Sequence, residues 1–432
     1  MRSLEVKKQL IFVLLALLVL MLLAACATPP TLAPPTPVPA QPTTAPAPAQ
    51  PTITLAPAQP AATQVHSQGP LFEPAPDSPV TVGPGPGQVV LADINRDGHL
   101  DMVTRHLLNQ SVAVLLGDGR GHFAPVAEGP MSFGYQPGAM ALGDVNNDSI
   151  LDLGLASRYG DREIVDIFLG DGKGQFGRVA GSPFTASASI EFYKPSLCLV
   201  DLDEDGKLDI VTANGQRNTL EILFGDGRGT FSPGAIVSLE SSPNLYSFAL
   251  GDVDGDGHLD LVTATSAGEP HLGPGRVATR RGDGSGAFKD VSGSPLSVSP
   301  GPHVVTLADV NGDRRLDVVM SHSNNHLTLL LNSGDGLFAP APASPYRLGT
   351  LAWALVVADV NRDQRADLVA ATVNSVTVLL GDSHGFVASP GSPFRAGPGA
   401  YNLAVGDVNE DGKLDVAASS FESNAVTVLL GR

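Results

Sequence analysis

The sequence predicts an all-β fold: a seven-bladed β-propeller with four antiparallel strands per blade, in which an N-terminal strand completes the last blade. Three observations predict it. A nine-residue acidic pattern recurs seven times, starting at Asp93, Asp144, Asp201, Asp252, Asp309, Asp359 and Asp407, at intervals of 48 to 57 residues. An apolar run, a Gly/Asp turn and an aromatic follow the first six copies, as in LLGDGRGHF and LFGDGRGTF, which reads as a hairpin. The seventh unit stops at VTVLLGR, one strand short, while residues 69–83 carry an aromatic, Phe72, and the pair Ser78-Pro79 found on the fourth strand of other units. A closed ring accounts for that exchange, because it leaves no open edge.

The chain begins with export chemistry. Arg2, Lys7 and Lys8 precede an almost wholly apolar run, Leu10 to Leu23, and then Ala24, Ala25 and Cys26. A basic start, an apolar stretch and small residues before a cleavage point describe an export signal over residues 1–25. The small residues before Cys26 resemble the lipobox of bacterial lipoproteins. That resemblance implies lipidation of Cys26, a membrane anchor through the lipid, and a chain facing the extracytoplasmic side or cell surface. The run is also long enough for an uncleaved membrane helix, which would leave the rest of the chain on the same side.

Residues 26–68 are rich in Pro, Thr, Ala and Gln and hold no charged side chain. Such a segment cannot bury a core and reads as an extended, semi-rigid stalk. The one other cysteine, Cys198, sits in the apolar run SLCLV, so no disulfide framework is available.

Residues 69–432 hold the propeller. In each unit strand A is the apolar run before the first Asp, and the acidic loop joins it to strand B. Strand C ends at the Gly/Asp turn, and strand D starts at the aromatic. Positions one and three before the first Asp are mostly small (Ala92, Gly143, Gly251), and positions two and four mostly large (Leu91, Met140, Phe248, Leu403). Neighbouring blades can therefore interdigitate.

Every acidic loop has Asp at positions 1, 5 and 9 and Asn or Asp at position 3. Carboxylates that dense repel unless a cation neutralises them, and oxygen ligands suit a hard one such as Ca2+. Without residues 1–25 the formal charge is −20, and seven Ca2+ would leave about −6. An EF-hand does not fit, because strands flank the loop and the last carboxylate stands at position 9 rather than 12. Asx hydrogen bonds can hold such turns as well.

The loops, repeating in step with the blades, resemble the calcium loops of the FG-GAP and VCBS repeat family, whose propeller is similar to that of integrin α-chains. The resemblance covers the chain after the stalk. It implies calcium bound by the side chains of positions 1, 3, 5 and 9 and by the backbone carbonyl of position 7. In the first loop these are Asp93, Asn95, Asp97 and Asp101 with His99, and in the second Asp144, Asn146, Asp148 and Asp152 with Ile150. The third offers Asp201, Asp203, Asp205 and Asp209 with Lys207, and the fourth Asp252, Asp254, Asp256 and Asp260 with His258. The fifth has Asp309, Asn311, Asp313 and Asp317 with Arg315, and the sixth Asp359, Asn361, Asp363 and Asp367 with Arg365. The seventh has Asp407, Asn409, Asp411 and Asp415 with Lys413. Position 6 is Gly98, Gly206, Gly257 or Gly412 in four loops but Ser149, Arg314 or Gln364 in the others. If that residue needs positive φ, binding should be weaker in the loops starting at Asp144, Asp309 and Asp359.

Other motifs carry less. Gly381 to Gly385 (GDSHG) matches a G-x-S-x-G nucleophile pattern but falls on a C–D turn with no helix after it. Arg281-Gly282-Asp283 spells an adhesion tripeptide on the equivalent turn, where GDG is simply the repeat. His322 and His326 are spaced for a transition-metal pair, with a solvated hairpin as the plainer reading. The acidic balance argues against nucleic acid.

Six residues before each first Asp stand Gly87, Gly138, Pro195, Tyr246, His303, Trp353 and Tyr401. These should ring the channel mouth on the face opposite the acidic loops. An aromatic rim of Tyr246, His303, Trp353 and Tyr401 suits a glycan or protein ligand, with packing beneath the D–A loops as the alternative. The expected function is a non-catalytic binding, adhesion or scaffold module. The alternative is a carbohydrate-active enzyme of polysaccharide-lyase type, or a lectin, with its site in the longest insertions, 182–196 and 265–276.

Overall fold

The computed structural model describes residues 69–432, apart from 161, 187–196, 215–217, 240–244, 267–272 and 383–384. The predicted export signal, Cys26, the predicted stalk, Pro195 and much of both long insertions lie outside the described residues. No helix occurs among the described residues, and the strands form seven antiparallel sheets.

The first blade runs Pro86–Ala92, Asp101–His106, Ser111–Gly117 and Phe123–Pro125 from inside to outside. Strand B is buried along its whole length in every blade where it is fully described, as in Asp367–Thr372, which explains its apolar and small residues. The last blade holds Ala400–Gly406, Asp415–Ser420 and Ala425–Gly431, and its outer strand comes from the other end of the chain. Phe72–Pro74 pairs with the far end of Ala425–Gly431, Phe72 opposite Gly431, and Val80–Thr81 pairs with its start. The predicted seven-bladed ring and its N-terminal closure are both present.

Strand D is more broken than the sequence suggests. In six blades it consists of two short pieces that both pair with strand C, such as Phe338–Pro340 and Tyr346–Arg347. In five of the six the Ser-Pro pair lies at the break. The serine hydroxyl oxygen accepts a strand C amide there: Ser78 from Val428 (2.9 Å), Ser182 from Ile167 (3.0 Å), Ser294 from Thr279 (2.8 Å), Ser344 from Leu329 (3.0 Å) and Ser392 from Val378 (2.8 Å). The side chain thus supplies the acceptor that the interrupted ladder lacks.

Seven apolar clusters fill the spaces between neighbouring blades. One joins Val103 and Val112 of the first blade to Met140, Leu153 and Leu155 of the second. The small residue before the first Asp is small because the next blade leans on it. A Cβ on Gly143 would lie 2.7 Å from Leu208 of the following blade, and one on Gly251 would lie 2.7 Å from Leu316. Gly406 of the last blade meets Leu100 of the first in the same way, so the closing interface repeats the others.

Candidate functional site: the acidic loops and the channel mouth

Each acidic loop is pinned to its blade at two points. The position 2 side chain (Ile94, Val145, Leu202, Val253, Val310, Val360 or Val408) turns into the core and is at most 5 % exposed. The position 9 aspartate is buried, and its two carboxylate oxygens accept different amides. In the fourth loop Asp260 Oδ2 accepts the Val253 N–H and Oδ1 the Gly282 N–H, each at 2.9 Å. The other six loops repeat both bonds.

This clasp accounts for the glycine that ends strand C. A Cβ on Gly282 would stand 2.1 Å from the Leu259 carbonyl oxygen, closer than any contact allows. The fifth blade has Asn332 there instead, whose Nδ2 donates to the carbonyls of Leu316 (3.0 Å) and Val253 (2.7 Å). Burial pushes the carboxyls of Asp152, Asp367 and Asp415 up to about 6, against the pull of their two amides.

The rest of the loop is bonded within itself. Asp252 Oδ2 accepts the Gly257 N–H at 3.0 Å, and Asn95 Nδ2 donates to Asp97 Oδ2 at 2.8 Å. The position 7 amide donates to the position 5 carboxylate, as from Arg365 to Asp363 at 2.9 Å. The Asx bonds named as an alternative to calcium are therefore present.

Position 6 has positive φ in all seven loops, including Ser149 (65°), Arg314 (68°) and Gln364 (67°). Position 4 does too, which the sequence reading missed: Arg96, Asn147, Glu204, Arg362 and Glu410 lie between 58° and 63°. The loops starting at Asp144 and Asp359 thus carry two non-glycine residues in this region, and the loop at Asp252 none. Gln364→Gly should stabilise the protein by about 1 kcal/mol by relieving that strain. A denaturant midpoint that falls would count against it.

Two loops bring three carboxylates together. Ligand oxygens of Asp201, Asp203 and Asp205 lie within 4.8 Å of one another, as do those of Asp252, Asp254 and Asp260. In the first of these, Asp201 Oδ1 is buried and has no hydrogen-bond partner among the described residues. An orphaned carboxylate oxygen in an all-oxygen cluster fits a hard divalent cation.

Side-chain cations already approach several ligands. Lys207 pairs with Asp205 at 2.5 Å, Lys413 with Asp411 at 3.1 Å and Arg281 with Asp254 at 2.7 Å. Arg281, the arginine of the adhesion tripeptide, also donates to the Asp335 carbonyl and so is turned onto the loops. Adjacent loops are linked as well. His258 bonds Glu204 at 2.5 Å and His99 bonds Glu410, contacts that raise the pKa of both histidines.

At the opposite end of strand A the predicted rim is partly assembled. Trp353 and Tyr401 stack with centroids 5.2 Å apart and planes 19° apart, and His303 meets Trp353 edge-on at 5.0 Å. His303 is only 2 % exposed, with Nδ1 3.3 Å from the Ala352 carbonyl oxygen. It backs the tryptophan rather than offering a contact surface, a correction to the predicted rim. Tyr246 is half-buried at the corresponding place in the fourth blade.

Gly87 and Gly138 leave room for a residue that sequence reasoning missed. Arg105, from the end of strand B, donates through Nη1 to the Pro137 (3.2 Å) and Gly138 (2.5 Å) carbonyls. Its Nη2 lies 2.8 Å from where a Gly87 Cβ would be, so the guanidinium fills the rim positions of the first two blades. Desolvation pulls its pKa down to about 10, which leaves it charged at neutral pH. The signal was available: the other blades have Ala156, Ala213, Ala264, Ser321, Ala371 and Ser419 at this strand position.

The remaining motifs resolve as local structure. Ser383 lies outside the described residues, and its neighbours end strand C and begin strand D. His322 is wholly buried, not solvated; Nε2 lies 2.7 Å from Thr328 Oγ1, and burial lowers its pKa to about 4.

Comparison with known proteins agrees with this architecture. A family model described as FG-GAP-like repeat matches residues 201–263, 309–370 and 359–418. No curated protein matches the chain. Similar solved structures include an Agrocybe aegerita lectin, described as specifically recognising non-reducing terminal N-acetylglucosamine, with 19% identity over 79% of this chain and 87% of that one and a TM-score of 0.51. BBS1N, solved in complex with ARL6DN, is 13% identical over 84% of this chain and 98% of its own, at a TM-score of 0.55. A functionally unknown protein from Desulfotomaculum acetoxidans is 10% identical over 74% and 89%, at 0.52. At such identities the likeness is one of fold. The chain is a seven-bladed β-propeller, three stretches of which match the FG-GAP-like repeat model.

Proposed function

We propose that this protein is an exported, surface-tethered binding module, without catalysis of its own, whose propeller is stapled by calcium and whose ligand is a glycan held at the channel mouth. The observation that carries the ligand reading is the Trp353–Tyr401 stack, backed by His303 and continued around the ring by Arg105. Flat aromatic faces suit a ring with an apolar face. The lectin among the similar structures is in keeping with this reading. The export signal and Cys26 support the tether.

Calcium would neutralise the loop carboxylates and accept their free lone pairs, with the Asp201 and Asp252 loops as the leading sites. Each site filled near its dissociation constant adds on the order of 1 kcal/mol or less, so several filled sites should raise the melting temperature measurably. A chelator should lower that temperature and Ca2+ restore it; a melting curve indifferent to both would remove calcium from the account. For the ligand, a glycan array should give binding without turnover. Trp353→Ala with Tyr401→Ala should remove the part of the signal that the channel mouth carries, and an unchanged array profile would remove the channel mouth.

A further inference from the structure

The second blade contains a feature that neither the repeat nor the channel mouth explains. Asp166, in the middle of strand C, is fully buried where other blades have Ala113, Glu221, Ala278, Thr328, Thr377 and Thr427. Its Oδ1 accepts from Arg178 Nε (2.7 Å), Arg178 Nη2 (2.5 Å) and Ser182 Oγ (2.7 Å), and its Oδ2 accepts from the Tyr135 hydroxyl. Arg178 stands where strand D of other blades has Pro125, Pro233 or Pro340. The fold therefore does not require this ion pair.

What the pair does is hold two side chains at the wall of a groove. Tyr135 and Arg178 line a groove of about 360 Å3 together with Phe133, Phe168 and Phe176. The aromatic rings support one another, Phe133 with Tyr135 at 5.6 Å and with Phe168 at 5.5 Å. Tyr159 extends the cluster from Tyr135 at 6.0 Å and is 61 % exposed. Only 5% of the chain is aromatic, so five such rings in one place are a concentration rather than background. The Arg178 guanidinium lies over Phe168 at 5.9 Å, and its side chain remains 45% exposed.

We infer that this groove between the first and second blades is a second ligand site, separate from the channel mouth, for the ring of a neutral pyranoside. The volume lies at the small end of ligand clefts and has room for one sugar ring. Aromatic faces take the C–H face of such a ring, and the unbonded N–H groups of Arg178 donate to its hydroxyls. The charge selects the neutral class. Asp166 cancels Arg178, and a chain of net charge −18 offers an acidic sugar no general attraction.

Saturation-transfer NMR with the methyl pyranosides of glucose, galactose, mannose and N-acetylglucosamine, and with glucuronate, tests this on the full chain. At least one neutral pyranoside should receive saturation at its ring protons. In Phe133→Ala its apparent affinity should fall at least tenfold, and by the same factor when Phe133→Ala is made in a Trp353→Ala background. Arg178→Lys, which keeps a cation beside Asp166, should weaken it severalfold with little change in melting temperature. Saturation of none of the neutral probes, preference for glucuronate, or binding lost through Trp353 but not Phe133 would each overturn the assignment. The last outcome would leave the channel-mouth reading standing alone.

Discussion

Asp260→Ala should destabilise the protein by about 4 kcal/mol even when calcium is absent. Asp260 is buried, and its removal strands the Val253 and Gly282 amides together. Each orphaned buried amide costs about 1–3 kcal/mol, and the vacated volume adds to that. Asp260→Asn should do little better, since it turns an N–H group toward one of those two donors. Asp254→Ala is the contrast. Asp254, its side chain 6% exposed, bonds Arg281 and only one amide, that of Asp256, so without calcium its loss should cost less than that of Asp260, and with calcium more than without. Denaturant unfolding of the two variants, with Ca2+ and with a chelator, separates the clasp from the metal site. A mild effect of Asp260→Ala in chelator would show that position 9 acts only as a ligand.

The second large effect is expected at the seam of the ring. Phe72→Ala should cost about 4 kcal/mol, in the range of buried aromatic truncations. Phe72 is 2 % exposed and packs edge-on against Phe394 of the neighbouring blade at 5.3 Å. The loss also loosens Phe72–Pro74, which has only three register partners on the last strand. Proteolysis between residues 69 and 83 should accelerate accordingly. Glu73→Gln, which breaks an exposed ion pair with Arg432, should change stability little. If Phe72→Ala proved equally mild, the N-terminal strand would be an ornament on a ring closed by its blade contacts alone.

The fold was legible because its signals repeat in phase. Seven loops, six turns and a strand displaced from one end to the other leave little freedom in blade number or closure. The alternation at Gly143 and Gly251 could be read as interdigitation, although its partners, Leu208 and Leu316, could not be named. What stayed hidden depends on register. Asp260 and Gly282 are far apart along the chain, and only the pairing of strands B and C brings the carboxylate to that amide. The same holds for Arg105, which reaches the mouth from strand B while the rim was read from strand A. The groove around Asp166 was missed because attention to what repeats passes over what does not. An acid in strand C, at a position that is Ala or Thr in five other blades, was its signal.

The seam has one more consequence. Arg432 N–H donates to the Leu71 carbonyl at 2.9 Å, so the two ends of the propeller meet side by side. Its covalent order is then a matter of where the ring happens to be cut. A circular permutant that joins these ends and opens a D–A connector, such as the one before Ala352, would keep every blade and every acidic loop. It would only hand the task of closure to a different blade.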